Sequence, residues 1–160
     1  MNKNITSNTE LIDIIKNINI NNFNGVYPKD KLQDSQNPRR AGPIKPLKDG
    51  FYIINLQDSD KGSGTHWTAI YKINDGFSFY YDSFGFPAPE NIEEILHKYE
   101  YNKKQIQDID STSCGFYCVA FIKFMYNKQD KLTAFNTFCN LFGNNTKDNE
   151  FILYQLLYRC

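Results

Sequence analysis

The sequence predicts an α+β domain in which one mixed β-sheet packs on a central helix bearing Cys114, with further helices at its flanks. Three observations predict it. The run Phe116 to Met125 is almost wholly apolar and long enough for a buried helix. Two runs of β-branched and aromatic residues, Trp67 to Ile73 and Phe77 to Tyr81, are joined by the tight turn Asn74-Asp75-Gly76. Amphipathic helical patterns stand before and after these segments.

Taken in order, Ser7 and Glu10 form a capping-box pattern ahead of Leu11, Ile14, Ile15 and Ile18, which predicts an N-terminal helix. Asn21 to Asn24 and Gly25 break it. Asn37 to Pro46 holds three prolines and a glycine and reads as a loop. Phe51 to Asn55 is a short strand, and Asp58 to Gly64 a polar turn. The hairpin follows, with Asp82 at the end of its second strand. Pro87 and Pro89 lead into a helix with Ile92, Ile95, Leu96 and Tyr99 on one face. Lys104 to Ile109 is a candidate strand. After the Cys114 helix, amphipathic patterns predict two more, Leu132 to Phe142 and Phe151 to Tyr158, separated by Gly143, Asn144 and Asn145.

The 160 residues are expected to form a single domain, 1–160, with a real core. Lys+Arg 18 balances Asp+Glu 18. That balance argues against strong non-specific nucleic-acid binding, which needs a basic surface. The residues Arg39, Arg40, Lys45 and Lys48 read as a solvated loop. Met1 to Asn8 is polar with no apolar core behind it, so no secretory leader is expected. No apolar stretch approaches the roughly 20 residues of a membrane span. Four cysteines in a chain without a leader are expected as reduced thiols. No metal site is expected, because no second pair of Cys or His matches Cys114 and Cys118, and His66 and His97 lie far apart. No cofactor is expected.

The segment Ser111 to Cys118, STSCGFYC, carries most of the chemistry. Cys114 falls at the first turn of the apolar helix, where free backbone N–H groups and the positive end of the dipole favour a thiolate. Ser111, Thr112 and Ser113 offer cap chemistry, and Gly115 leaves room for a substrate backbone. Cys118 and Cys139, among aromatics in mid-helix, fit the ordinary role of a small buried residue. His66 stands at a loop-to-strand junction behind Gly62, Ser63, Gly64 and Thr65, and an imidazole there could form an ion pair with a thiolate. Trp67, on the opposite face, either packs the core or walls a cleft. The midpoint of 66 and 82 is 74, inside the hairpin turn. His66 and Asp82 are therefore expected opposite each other, where a carboxylate fixes the imidazole tautomer. An oxyanion donor could be Gln107 or Gln105, which share one face, and the residues alone do not choose between them.

In order and spacing, His66, Asp82, Gln107 and Cys114 resemble the cysteine proteases that include adenain, the adenovirus maturation protease, and the SUMO proteases. The matching segments are Gly64-Thr65-His66-Trp67, Tyr81-Asp82-Ser83-Phe84-Gly85-Phe86, and Gln107 with Ser111-Thr112-Ser113-Cys114-Gly115. The interval of seven from Gln107 to Cys114, with Phe84-Gly85-Phe86 and Phe23-Asn24-Gly25-Val26-Tyr27, is similar to the viral branch found in adenoviruses, virophages and Polinton elements. The resemblance implies the adenain/SUMO-protease fold and a cysteine endopeptidase. It implies His66 as base, Asp82 as its orienter, Gln107 as oxyanion donor and Cys114 as nucleophile, with Trp67, Gly64 and Gly115 binding a glycine-containing substrate.

By the same resemblance the substrates would be capsid or other virion precursors, cut after glycine at Gly-Gly-X or Gly-X-Gly sites during particle maturation. An activating peptide is left open, nucleic acid is expected to bind weakly or not at all, and no membrane is involved. A monomer is expected, in the host cytoplasm or virus factory and the virion interior, not secreted. The alternative is an isopeptidase acting on ubiquitin-like conjugates. An acetyltransferase would need a basic coenzyme A pocket, and an inactive binding module would not need all four groups.

Overall fold

The structure, a computed structural model, describes residues 7–32, 47–57, 66–73 and 77–158. Its elements are α1 (Asn8–Ile18), β1 (Phe23–Pro28), β2 (Gly50–Asn55), β3 (Trp67–Lys72), β4 (Phe77–Tyr81), α2 (Glu90–Leu96), β5 (Lys98–Tyr101), α3 (Cys114–Met125), α4 (Lys131–Asn140) and α5 (Asn149–Tyr158). The five strands form one mixed sheet in chain order, β1-β2-β3-β4-β5. The two outer pairs are parallel and the two inner pairs antiparallel. This is the α+β architecture that the sequence predicts, with the sheet packed on a central helix.

Strand alternation divides the core in two. Phe51, Ile53, Trp67, Ala69, Tyr71, Phe79 and Tyr81 join the larger cluster, with α3 and residues of α1, α4 and α5. Tyr52, Ile54, Ile70 and Tyr80 join Ile92, Ile95 and Leu96 of α2 on the other face. Every residue of β2 and β3 is buried, as expected for strands covered on both faces. Helix α3 is apolar around most of its circumference because it lies inside, between the sheet and the outer helices, with Lys123 at its half-buried edge. Ser7 caps α1, its Oγ accepting the Glu10 N–H at 3.2 Å.

Several elements depart from the sequence-based expectation. The Asn-rich segment expected only to break α1 also begins β1, whose pairing slips between Phe23 and Val26. Helix α2 stops at Leu96 because His97 takes a φ of 61°, which hands Tyr99 to β5 rather than to the helix. Lys104 to Ile109 forms no strand. Lys103 turns the chain with φ 53°, and both the Ile106 and Gln107 N–H groups donate to one carbonyl, Ser83 O, at 2.8 and 2.9 Å. Helix α4 starts at Lys131, one residue early, because Asp130 accepts the Thr133 N–H at 3.0 Å as its cap. The expected loops at Asn37 to Pro46 and Asp58 to Gly64, and the turn Asn74-Asp75-Gly76, lie outside the described residues. No helix among the described residues is long and apolar enough to cross a membrane.

Candidate active site

Three segments converge at one end of the sheet: the start of β3, the turn after β4, and the loop that leads into α3. His66 immediately precedes β3, and Asp82 immediately follows β4. Pairing of Ala69 with Tyr81 and Ile70 with Tyr80 puts the register two residues away from the expected one. His66 thus stands level with Phe84, not Asp82, and the two rings are 4.8 Å apart. A slip of two keeps each side chain on its face, so Asp82 becomes the diagonal neighbour and remains within reach. His66 Nε2 and Asp82 Oδ1 are 2.8 Å apart.

Asp82 is nearly inaccessible to solvent and firmly held. Its Oδ1 also accepts the Phe84 N–H at 2.8 Å. Just past the last pair of the β4–β5 ladder, the Asn102 side chain takes the place of a strand. Its Oδ1 accepts the Asp82 N–H at 3.1 Å, and its Nδ2 donates to the Asp82 carbonyl at 2.6 Å and to Lys104 O at 3.1 Å. Gly85 closes the turn with φ +84°, where an added Cβ would lie 2.6 Å from the Lys104 carbonyl carbon.

Burial lowers the His66 pKa, but the Asp82 hydrogen bond and the nearby Cys114 thiol outweigh it and raise the value from 6.5 to about 9. Nε2 is committed to Asp82, so Nδ1 is the nitrogen left for the thiol; it is buried and has no other hydrogen-bond partner. The histidine therefore favours its charged form at neutral pH. Cys114 is the first residue of α3, and Cys118 lies one turn deeper. Burial pushes the Cys118 thiol well above its ordinary pKa and the Cys139 thiol up to about 12, which leaves both inert.

Gln107 is 1% exposed. Its Oε1 accepts from Ser83 Oγ at 2.5 Å, and its Nε2 donates to Ser111 O at 2.8 Å. Two groups fix this amide, one from the acid's turn and one from the loop before Cys114. Gln105, the other candidate, is exposed and donates to the Gln107 carbonyl at 3.1 Å. The loop is braced by α5. Asn149, wholly buried, donates to Ile106 O and Gly143 O, each at 2.9 Å, and Ser111 Oγ donates to Glu150.

No protein-family model matches the chain, and no curated protein matches it. Solved structures do. The crystal structure of the ASFV pS273R protease aligns over 98% of this chain and 69% of its own, with TM-score 0.53 and 15% identity. The two chains share a fold. A selenomethionine form of the same protease aligns over 69% of this chain and 44% of its own, at TM-score 0.45 and 17% identity. The present chain thus spans less than half of one matched chain and about two thirds of the other.

The structure brings His66, Asp82, Gln107 and Cys114 to one end of the sheet. Trp67 is 1% exposed and belongs to the larger core cluster, so packing is the role observed for it. Gly115 is buried in the first turn of α3, and Gly64 lies outside the described residues. Ser113 precedes α3 but makes no side-chain cap bond; Ser111 instead accepts the Ser113 N–H at 3.1 Å. Sequence reasoning missed Asn102, Ser83 and Asn149, which touch the backbone or amide of the site rather than any reacting atom. Among the described residues no group of three or more His, Cys, Asp or Glu could hold a metal.

Proposed function

We propose that this chain is a viral cysteine endopeptidase that cuts virion precursor proteins after glycine during particle maturation. The reading rests on one observation above all: His66, fixed by Asp82 at 2.8 Å, stands beside the one cysteine among the described residues that begins a helix. The shared fold with a viral protease and the motif resemblance support it further.

In this reading the Cys114 thiolate attacks the scissile carbonyl carbon. The resulting oxyanion takes hydrogen bonds from the Cys114 backbone N–H and from the second Nε2 proton of Gln107, the one not given to Ser111. The His66 imidazolium then protonates the leaving amine, which departs and leaves a thioester on Cys114. Neutral His66 next takes a proton from water, whose oxygen attacks the thioester; the acyl group leaves as the carboxylic acid, and the Cys114 thiolate is expelled beside the restored imidazolium. Asp82 holds the ring and its charge throughout.

The test is cleavage of peptides carrying Gly-Gly-X or Gly-X-Gly, followed by mass spectrometry of the new termini. Cuts after glycine, lost when Ala replaces that glycine, are expected. A site that excludes a β-carbon discriminates by clash, more sharply than by a lost contact. Efficient cutting after a bulky residue would reject the glycine specificity. Release of intact ubiquitin-like proteins from conjugates, with virion precursors left uncut, would favour the isopeptidase.

A further inference from the structure

A groove of about 620 Å³ is lined in part by Ser111, Thr112 and Ser113, the three residues that precede Cys114 in the chain. Phe116 and Tyr154 form its apolar side. Asp108, Asp110 and Glu150 stand around it against one cation, Lys147. The hydrogen bonds that Asp108 and Glu150 accept come from neutral donors, Thr146 and the Asp110 N–H for Asp108 and Ser111 for Glu150. Those donors leave the negative charge uncompensated. The groove runs on into a smaller recess of about 110 Å³ that shares Ser113, Phe116 and Tyr154 and adds Leu153, Leu157 and Tyr158.

Helix α5 has apolar or aromatic side chains around most of its circumference, a composition proper to a buried helix. Leu153 faces the core, yet Phe151, Tyr154 and Tyr158 are 73%, 56% and 74% exposed. The Tyr154 and Tyr158 rings stack in the open, 6.0 Å apart. Exposed aromatic surface at the mouth of a groove marks a contact surface. Its occupant must carry apolar side chains for the aromatic shelf and bring positive charge to the carboxylates, and a polypeptide lying along the Ser111–Ser113 segment that leads to Cys114 can do both. An anionic lipid surface fails the last condition.

We propose that this groove seats the substrate polypeptide on one side of the scissile bond, and that it selects a segment combining a basic residue with an apolar or aromatic one. The proposal rests on the reading of Cys114 as the nucleophile and adds a second specificity element to the glycine at the cut. Phe116 and Tyr154 hold the apolar side chain, and Asp108, Asp110 and Glu150 face the basic one.

The full-length chain is tested on a set of Gly-Gly-X peptides of equal length. Each of four positions on either side of the cut is varied among Lys, Glu and Ala, then Leu and Ser. At one or more positions on one side, kcat/KM for Lys should exceed that for Glu by about 10-fold, a gap of about 1.4 kcal/mol. Raised salt should narrow the gap. Asp110→Lys should abolish or reverse it, and Tyr154→Ala should reduce the preference for Leu over Ser; both residues are exposed, so neither variant strains the fold. Binding of the best Lys peptide to Cys114→Ser protein, read by fluorescence anisotropy, should weaken on addition of Asp110→Lys. Equal cleavage of Lys and Glu peptides at every position would overturn the groove proposal and leave the protease reading standing, as would a Lys preference that survives Asp110→Lys. If no peptide is cut and Cys114 resists a thiol probe, the protease reading itself falls, and the proposal with it.

Discussion

At the scale of single residues, the thiols divide by position along one helix. Cys114 begins α3, while Cys118 sits one turn inside the core with its thiol held protonated by burial. Cys114→Ala is expected to abolish peptide cleavage with urea unfolding near wild type. Cys118→Ala should cost about 1 kcal/mol of stability and keep activity per folded molecule. Iodoacetamide mapping in a Cys160→Ser background should mark Cys114 first; preferential labelling of Cys118 or Cys139 would contradict the assignment. The two glutamines give a second contrast. Gln107→Ala should lower kcat by roughly 100-fold with little change in KM, since an oxyanion donor acts only in the transition state. Gln105→Ala, which removes one bond to the Gln107 carbonyl, should be mild. Equal losses at both would remove the case for Gln107. Cys114, His66 and Asp82 are legible because a helix-start cysteine, a strand-end histidine and a strand-end carboxylate each carry a local signal, whereas only the family resemblance separates Gln107 from Gln105. Asn102 and Ser83 carry no local signal. An amide and a hydroxyl in loops look alike wherever they occur, and only tertiary pairing with Asp82 and Gln107 distinguishes them.

At the scale of elements, the turn from Asp82 to Gly85 couples the acid to the loop that bears Gln107. The Gly85 N–H donates to Asp82 O at 2.8 Å, and Ser83 O takes the N–H groups of Ile106 and Gln107. Gly85→Ala should therefore harm both partners at once. A β-carbon at φ +84° and 2.6 Å from backbone forces the turn or the loop to shift, at a cost on the order of 1–3 kcal/mol. Stability and kcat are expected to fall together, and a fully active, fully stable Gly85→Ala protein would show that the turn does not position Asp82. Long periodic segments such as α1 and α3 were readable from sequence because burial stamps its period on them. The segment Lys104 to Ile109 reads as a strand in the sequence but forms none. In fact Ile106 is buried, Ile109 is 79% exposed, and the backbone bonds go to Ser83 and Asn149 rather than to a ladder.

At the scale of the whole molecule, the charged pair links the site to folding stability. The His66 pKa is raised in the folded state, from 6.5 to about 9. Its stabilising contribution is thus fully present below pH 6.5 and lost as pH rises through about 9. The difference in urea-unfolding free energy between wild type and His66→Ala should be larger at pH 6 than at pH 10. A difference that is flat or grows with pH would refute the ion pair. Hairpin topology was legible in outline because β3 and β4 adjoin in sequence. The parallel pairings of β1 with β2 and β4 with β5 were not, since they depend on contacts across intervening chain. The chain-order arrangement of the five strands has a temporal consequence. A ribosome delivers each strand next to the one already made, so the sheet can grow vectorially without waiting for a distant partner. Cys114 emerges after all five strands, on a helix whose apolar circumference is covered only when α4 and α5 arrive. The histidine and the carboxylate can therefore meet before the Cys114 thiol docks, and in the proposed reading the thiol is the last of the reacting groups to reach the site.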